Sequence, residues 1–501
     1  MADAGAGAGA AAEAGRPWWA DAVVYQVYPR SFQDSDGDGV GDLAGIASRL
    51  DHLSWLGVDA LWLSPIYPSP QADSGYDISD YTTVDPVYGS LEDFDALVAA
   101  AKEGGLHVLM DLVPSHTSIE HPWFREHPTW YVSADGRGED PPNNWRSAFG
   151  GPAWSRDPRD PSGARWYLHS FYREQPDLNW RNPEVRAAMG KAIRFWLDRG
   201  VAGYRVDAID RVMKDAELRD DPASALPPVL PMHPDFEALR IERSGNAPDV
   251  GIALAAMREA AGDAVLIGEV YLPSAELGPY LDHLDLAFAF EFLHAPWTTD
   301  ALAKAIDGAV AQERVAWVLS NHDFRRLASR LGEGAARAAA LLLLTLPGAA
   351  FVYQGEEIGM LDGADEGIDR SGRDRFRHPM QWEPAPGGGF SEGEPWLGLT
   401  DPERRSVAAQ RDDPGSLLSL YRRLIALRRE LSGPLELLAA PEGVLAFSRD
   451  EHAVAVNFSE DPVPSPLEGE AVLTTHPAPG GRGADTVIPP SAGLVVRMQR
   501  V

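Results

Sequence analysis

Gly203-Tyr-Arg-Val-Asp-Ala-Ile-Asp210 reads as a short apolar strand that ends in charge. Arg205 and Asp207 stand two residues apart and so share one face of that strand. Just upstream, Asn182–Arg199 has the spacing of an amphipathic helix. Asn182 is placed to cap it, Pro183 suits its first turn, and Gly200 suits its stop. The same alternation recurs outward in both directions. Strands are expected at Ala22–Tyr28, Ala60–Ser64, Val108–Val113, Gly203–Ala208, Val265–Val270, Leu286–Phe290, Val315–Ser320 and Ala349–Gln354. Helical patterns such as Leu43–Leu56, Leu91–Lys102 and Ser416–Arg429 lie between or after them. Eight such units predict an α/β fold, a (β/α)8 TIM barrel.

The third connection is too long for an ordinary loop and is rich in Trp, Pro, Asp and His. It predicts an irregular domain inserted at 115–180. The barrel then occupies 17–114 and 181–431. After Leu431 the alternation at Gly443–Ser448 and Ala453–Phe458 predicts a small β domain at 432–501. Residues 1–16 form an Ala/Gly-rich tail expected to be disordered.

The chain has 501 residues, no cysteine and a formal net charge of −31. Disulfides, thiolate nucleophiles and Cys-ligated zinc are thereby excluded. The acidic surplus argues against nucleic acid and anionic membranes, which need a basic face. The N-terminal stretch lacks the basic start and apolar core of a signal peptide. The apolar stretch Ala338–Tyr353 is broken by Pro347-Gly348 and is too short to span a bilayer. A cytoplasmic protein, monomeric or homodimeric, is expected.

Functional side chains in such a barrel project from the C-terminal strand ends. There the sequence offers Asp111 with His116, Arg205 with Asp207, Glu269, and His322 with Asp323. Several carboxylates beside an arginine suit glycoside hydrolysis, in which one attacks the anomeric carbon and another protonates the leaving oxygen. Arg205 favours ionised Asp207 as nucleophile. Glu269, with apolar Ile267 and Val270 nearby, suits the acid. Asp323 suits the stabilisation of a cationic transition state.

These motifs resemble the α-amylase family of glycoside hydrolases (family 13), and within it the exo-acting α-glucosidases and oligo-1,6-glucosidases. The segments are DLVPSHTS (111–118), GYRVDAID (203–210), GEVY (268–271) and SNHD (320–323), supported by GVDALWLSP (57–65), QPDLNW (175–180) and GAAFVYQGEEIGM (348–360). The resemblance implies the same three catalytic roles, a covalent glucosyl-enzyme intermediate and retention of the α configuration. It places Asp111, His116, Arg205 and His322 around the terminal sugar. DSGYD (73–77) implies that Asp73 grips the terminal hydroxyls while Tyr76 supplies a stacking face. RFRHPMQW (375–382) implies that Arg377 pairs with Asp73 and closes one end of the site. FGGPAW (149–154) implies Phe149 as an aromatic wall.

The resemblance also implies, from Ala208 after the nucleophile, a preference for α-1,4 linkages among short α-glucosides. A transglucosidase or isomerase, such as a trehalose synthase or α-glucosyltransferase, shares this chemistry. A non-catalytic member of the family is disfavoured by the three intact acids. Three residues depart from the family pattern: Ser115 for Asn, Tyr204 for Phe and His378 for Thr, the last two with consequences for substrate preference.

DSDGDGVGD (34–42) spaces oxygen ligands as a calcium loop does: Asp34, Asp36, Asp38, the Val40 carbonyl and Asp42. A structural Ca2+ or Mg2+ is expected there, and no organic cofactor.

Overall fold

The computed structural model describes residues 16–224, 236, 238–476 and 487–498. Of the predicted tail only Arg16 falls within them. Eight parallel strands close into a barrel in chain order: β1 (Val23–Val27), β2 (Ala60–Leu63), β3 (His107–Leu112), β4 (Gly203–Val206), β5 (Val265–Gly268), β6 (Leu286–Phe288), β7 (Val315–Val318) and β8 (Ala349–Tyr353). All eight lie within the predicted runs, give or take a residue at the ends. Alternate residues fill the interior, with Val24, Trp62, Leu109, Ile267, Phe288, Val318 and Phe351 in one buried cluster. Their neighbours Val23, Tyr25, Leu61 and Val108 face outward into the larger core shared with the helices. Two apolar faces per strand explain the nearly continuous hydrophobic runs of a parallel sheet.

The helix before β4 spans Pro183–Leu197, and the Asn182 side chain accepts from the Glu184 amide, as its sequence predicts. Leu43–Leu56 differs from expectation: it is two helices, Leu43–Ser48 and Leu50–Leu56, parted at Arg49. Arg49 donates to Gln33 Oε1 at 2.6 Å and lies 4.4 Å over the Trp382 ring. These tertiary contacts outweigh the helical periodicity of the segment.

The insertion after β3 holds a three-stranded antiparallel sheet, Ser133–Asp135, Arg165–Leu168 and Trp154–Arg156, where an irregular segment is expected. Strands of three or four residues are too short to show alternation. Trp145 and Trp154 are buried in its small core.

Beyond the barrel, β9 (Glu436–Leu438), β10 (Val444–Arg449), β11 (His452–Asn457), β12 (Glu470–Thr474) and β13 (Ala492–Arg497) form an antiparallel sheet in the order β9-β10-β11-β13-β12. One face, with Phe447, Val454 and Val495, joins the main core beside the helix Leu327–Thr345. Leu342 of that helix is fully buried, and Leu342→Ala would cost about 2–5 kcal/mol. Among the described residues no helix is long and apolar enough to cross a membrane.

Candidate active site

Strand register brings the first charges together: Asp111 of β3 pairs with Arg205 of β4 on the inner face of the barrel. The Arg205 guanidinium, itself buried, serves three carboxylates. It meets Asp111 Oδ1 at 2.8 Å, Asp207 Oδ1 at 2.7 Å and Glu269 Oε1 at 2.5 Å. Ala208 turns the chain into the left-handed region (φ 40°, ψ 45°), and its amide donates to Glu269 Oε2 at 2.9 Å. Tyr76 donates to Asp111 Oδ2 at 2.9 Å, which spends its only proton. His322 Nε2–H therefore donates to the Tyr76 oxygen at 2.8 Å, and Gln26 of β1 donates to His322 Nδ1 at 2.8 Å. The Tyr76 and His322 rings stack at 5.4 Å, and burial holds His322 down to about 3, so the imidazole is neutral.

One guanidinium does not neutralise three buried carboxylates. Burial pushes Asp207 well above the usual carboxylate range; Arg205 opposes this, but Glu269 and Asp111 reinforce it. Asp111 is pushed up to about 6 by the same burial. The expectation that Arg205 alone keeps Asp207 ionised is therefore incomplete. The apolar setting expected for Glu269 also differs. Ile267 points into the barrel interior and Val270 into the outer core, while the Glu269 carboxylate meets three donors: Arg205, the Ala208 amide and Tyr271.

A second charged cluster forms around Asp323 and Asp73. Asn321 Oδ1 accepts from the Asp323 and Phe324 amides and turns Asp323 into the site. Asp323 Oδ1 receives Arg373 at 3.1 Å and Arg377 at 3.0 Å. Burial alone would raise the Asp323 and Asp369 carboxyls, but His322 with Arg373 and Arg377 for Asp323, and Arg373 and Arg377 for Asp369, outweigh it and hold both well below the usual range.

The partner of Asp73 is not the arginine expected. Arg373 meets Asp73 Oδ1 at 2.5 Å, and Gln175 donates to Asp73 Oδ2 at 2.9 Å. Arg377, one turn later and 1% exposed at its side chain, is bound to the His322 carbonyl and Asp323 and lies over the Tyr28 ring. The short 3-10 helix Arg373–Phe376 directs Arg373 toward the cavity and leaves Arg377 beneath it.

The two clusters border a cavity of about 420 Å3, lined by Asp73, Tyr76, His116, Phe149, Asp207, Glu269 and Asp323, together with Phe171, Tyr172, Tyr271, Phe324, Arg370 and Arg373. The loop after β8 fastens to the insertion through Tyr172–Ser371 at 2.5 Å, Arg370–Glu174 at 3.2 Å and Arg373 over the Phe149 ring. Asp73 and Arg373, paired and buried, form part of its wall.

The comparisons with known proteins agree with this geometry. The alpha amylase catalytic domain matches residues 26–433. The chain belongs to the α-amylase family of glycoside hydrolases. It is 42% identical to a probable alpha-glucosidase of Rhizobium meliloti, over 87% of this chain and 88% of that protein. It is 38% identical to a trehalose-6-phosphate hydrolase of Escherichia coli, over 82% of this chain and 84% of that protein. Among solved structures, trehalulose synthase MutB from Pseudomonas mesoacidophila superposes with a TM-score of 0.88 at 32% identity, covering 97% of this chain and all of that one.

Within this family member the three departures separate. Ser115 Oγ bonds to His116 Nδ1 at 2.8 Å and so touches the site's edge. Tyr204 faces a helix, donating to the Ile193 carbonyl at 2.6 Å. His378 bridges the carbonyls of Gly398 and Ala364. Neither Tyr204 nor His378 lines the cavity.

Sequence reading missed Arg373, Gln175, Tyr271 and Gln26. Arg373 stands just upstream of the quoted RFRHPMQW, Gln175 opens QPDLNW, and Tyr271 closes GEVY, so the signals were adjacent to recognised motifs. Gln26 lay inside an apolar strand, where a lone amide is itself a signal of an inward polar role.

In the loop after β1, the carboxylate oxygens of Asp34, Asp36 and Asp42 lie within 4.8 Å of one another. Hard oxygen donors so grouped fit Ca2+ or Mg2+. Asp38 stands outside this group and accepts from the Val40 amide at 2.8 Å. Asp42 also caps the next helix through the Gly45 amide.

Proposed function

We propose that this enzyme is a retaining exo-α-glucosidase that releases α-glucose from the non-reducing end of short α-glucosides, with α-1,4 linkages preferred. The observation that carries this reading is the buried Asp73–Arg373 pair in the wall of the cavity that Asp207 and Glu269 also line. Such a pocket admits a chain terminus and leaves a polymer nowhere to pass.

Terminal hydroxyls bind Asp73, Arg373 and His116, with His322 behind them and acting through Tyr76, and the sugar ring lies against Tyr76 and Phe149. Arg205 occupies Asp207 Oδ1 and leaves Oδ2 for attack on the anomeric carbon. Glu269 gives its proton to the glycosidic oxygen as the anomeric C–O bond breaks and the bond to Asp207 forms. Asp323, fixed as an anion, stabilises the cationic transition state. Glu269 then removes a proton from water, which displaces Asp207 and restores the α configuration. Asp34, Asp36 and Asp42, joined by Asp38 and the Val40 carbonyl on ion binding, would hold a divalent cation that stiffens the loop after β1.

A proton NMR time course with maltose, and isomaltose in parallel, tests the reading. Early α-glucose from maltose, with slower change in isomaltose, is expected. New linkage signals without matching free glucose would replace hydrolysis with transfer or isomerisation.

A further inference from the structure

The acid/base role proposed for Glu269 requires one carboxyl to serve in two protonation states, and its three partners are not equivalent in this respect. The Arg205 guanidinium and the Ala208 amide can only donate, so both favour ionised Glu269. Tyr271 donates to Glu269 Oε1 at 2.9 Å, but a phenol oxygen also accepts. It is the one partner of the three that can follow the proton. Its ring is fixed against Phe290, with centroids 4.7 Å apart and planes within 3°, and Phe290 stacks on Phe288 at 5.7 Å. Burial pushes the phenol well above its ordinary value, so it stays protonated and available in either sense. Tyr271 lines the cavity beside Glu269 and Asp323.

The geometry points to Tyr271 as the positioning residue of the acid/base, an inference that rests on the glucosidase reading above. In the free enzyme the Tyr271 hydroxyl rotates to accept from protonated Glu269, and when substrate binds that carboxyl O–H turns to the glycosidic oxygen. As that proton passes to the glycosidic oxygen and the C–O bond breaks, the hydroxyl rotates back and donates to the new carboxylate. No proton is exchanged between Tyr271 and Glu269; only the direction of their hydrogen bond reverses. The stack on Phe290 holds the oxygen in place through both half-reactions.

The test is Tyr271→Phe, which keeps the ring and its stack, measured on maltose and on α-glucosyl fluoride. Fluoride departs with little need of an acid, whereas the maltose leaving group needs one. We expect kcat/KM to fall about tenfold on maltose and less than twofold on the fluoride. Loss of a donor to ionised Glu269 also moves the alkaline limb of the maltose pH profile upward. Turnover of the fluoride shows in the same tube that the variant is folded. Equal losses on both substrates with an unmoved alkaline limb, or no change on either, would overturn the proposal. The wild type judges the underlying reading separately: inertness toward both substrates would remove the glucosidase assignment and Tyr271's role with it.

Discussion

Two neighbouring clusters of the same residue types, joined through Tyr76 and His322, behave in opposite ways. Around Arg205 stand three carboxylates and one guanidinium, and burial drives Asp207 and Asp111 upward. Around Asp323 stand three carboxylates and two guanidinia, and Asp323 and Asp369 are held down. Burial acts in the same direction on both sides; at Asp323 the neighbouring His322, Arg373 and Arg377 outweigh it, whereas at Asp207 the single Arg205 is opposed by Glu269 and Asp111. Asp207 and Asp111, sharing one guanidinium with Glu269, therefore hold their protons to higher pH, and charge is fixed at Asp323, where a cationic transition state needs an anion.

The comparison breaks most completely at Asp207→Asn, which removes the nucleophile. Activity on maltose should fall at least about 10^4-fold. The folded protein should remain at least as stable, because a carboxylate with a raised protonation point leaves the Arg205 cluster; thermal melting checks this. In the other cluster, Arg373→Ala leaves Asp73 and Asp323 short of a partner. Losing one side of a buried pair costs about 3–5 kcal/mol. A drop of about 10^2–10^3-fold in kcat/KM is expected, carried mainly by KM, and steady-state kinetics on maltose reads it.

Acidification separates the clusters without mutation. Between pH 7 and pH 5 the Arg205 cluster takes up protons, so kcat/KM falls. Asp111, at about 6, and Glu356, which burial raises to about 7, bind protons in the folded state that the unfolded chain does not hold at these pH values. The melting temperature should therefore hold or rise over the same range. It should fall only below the ordinary carboxylate value of about 4, where Asp323 and Asp369 must be protonated. Parallel melting and activity profiles check this divergence. Asp111→Asn removes a like charge beside Asp207, and the acid limb should move to lower pH.

The smallest effect is expected far from both clusters. Chelation of a cation at Asp34, Asp36 and Asp42 should lower stability by about 2–3 kcal/mol if that cation is held at about 100 times its Kd. Initial rates on maltose should be unchanged, and calorimetry with and without chelator measures the shift.

The clusters were unequally legible in the sequence. Arg205, Asp207, Asp111 and Glu269 lie on regular strands or next to them, so period-two geometry and strand ends place them directly. Arg373 sits in a 3-10 turn where neighbouring arginines compete, and periodicity does not say which of Arg373 and Arg377 faces the cavity. Tyr172 and Ser371 are 199 residues apart and meet only because the insertion folds over the barrel mouth. The break at Arg49 was likewise hidden, since its cause is Trp382, far along the chain.

The central claim is that Asp207, in the proton-retaining cluster, forms a covalent bond to glucose. Incubating Glu269→Gln with α-glucosyl fluoride and mapping the modified peptide by mass spectrometry tests it most directly. A glucosyl adduct on Asp207 is the predicted result. An adduct on another residue, or turnover of the fluoride to β-glucose without any adduct, would contradict it.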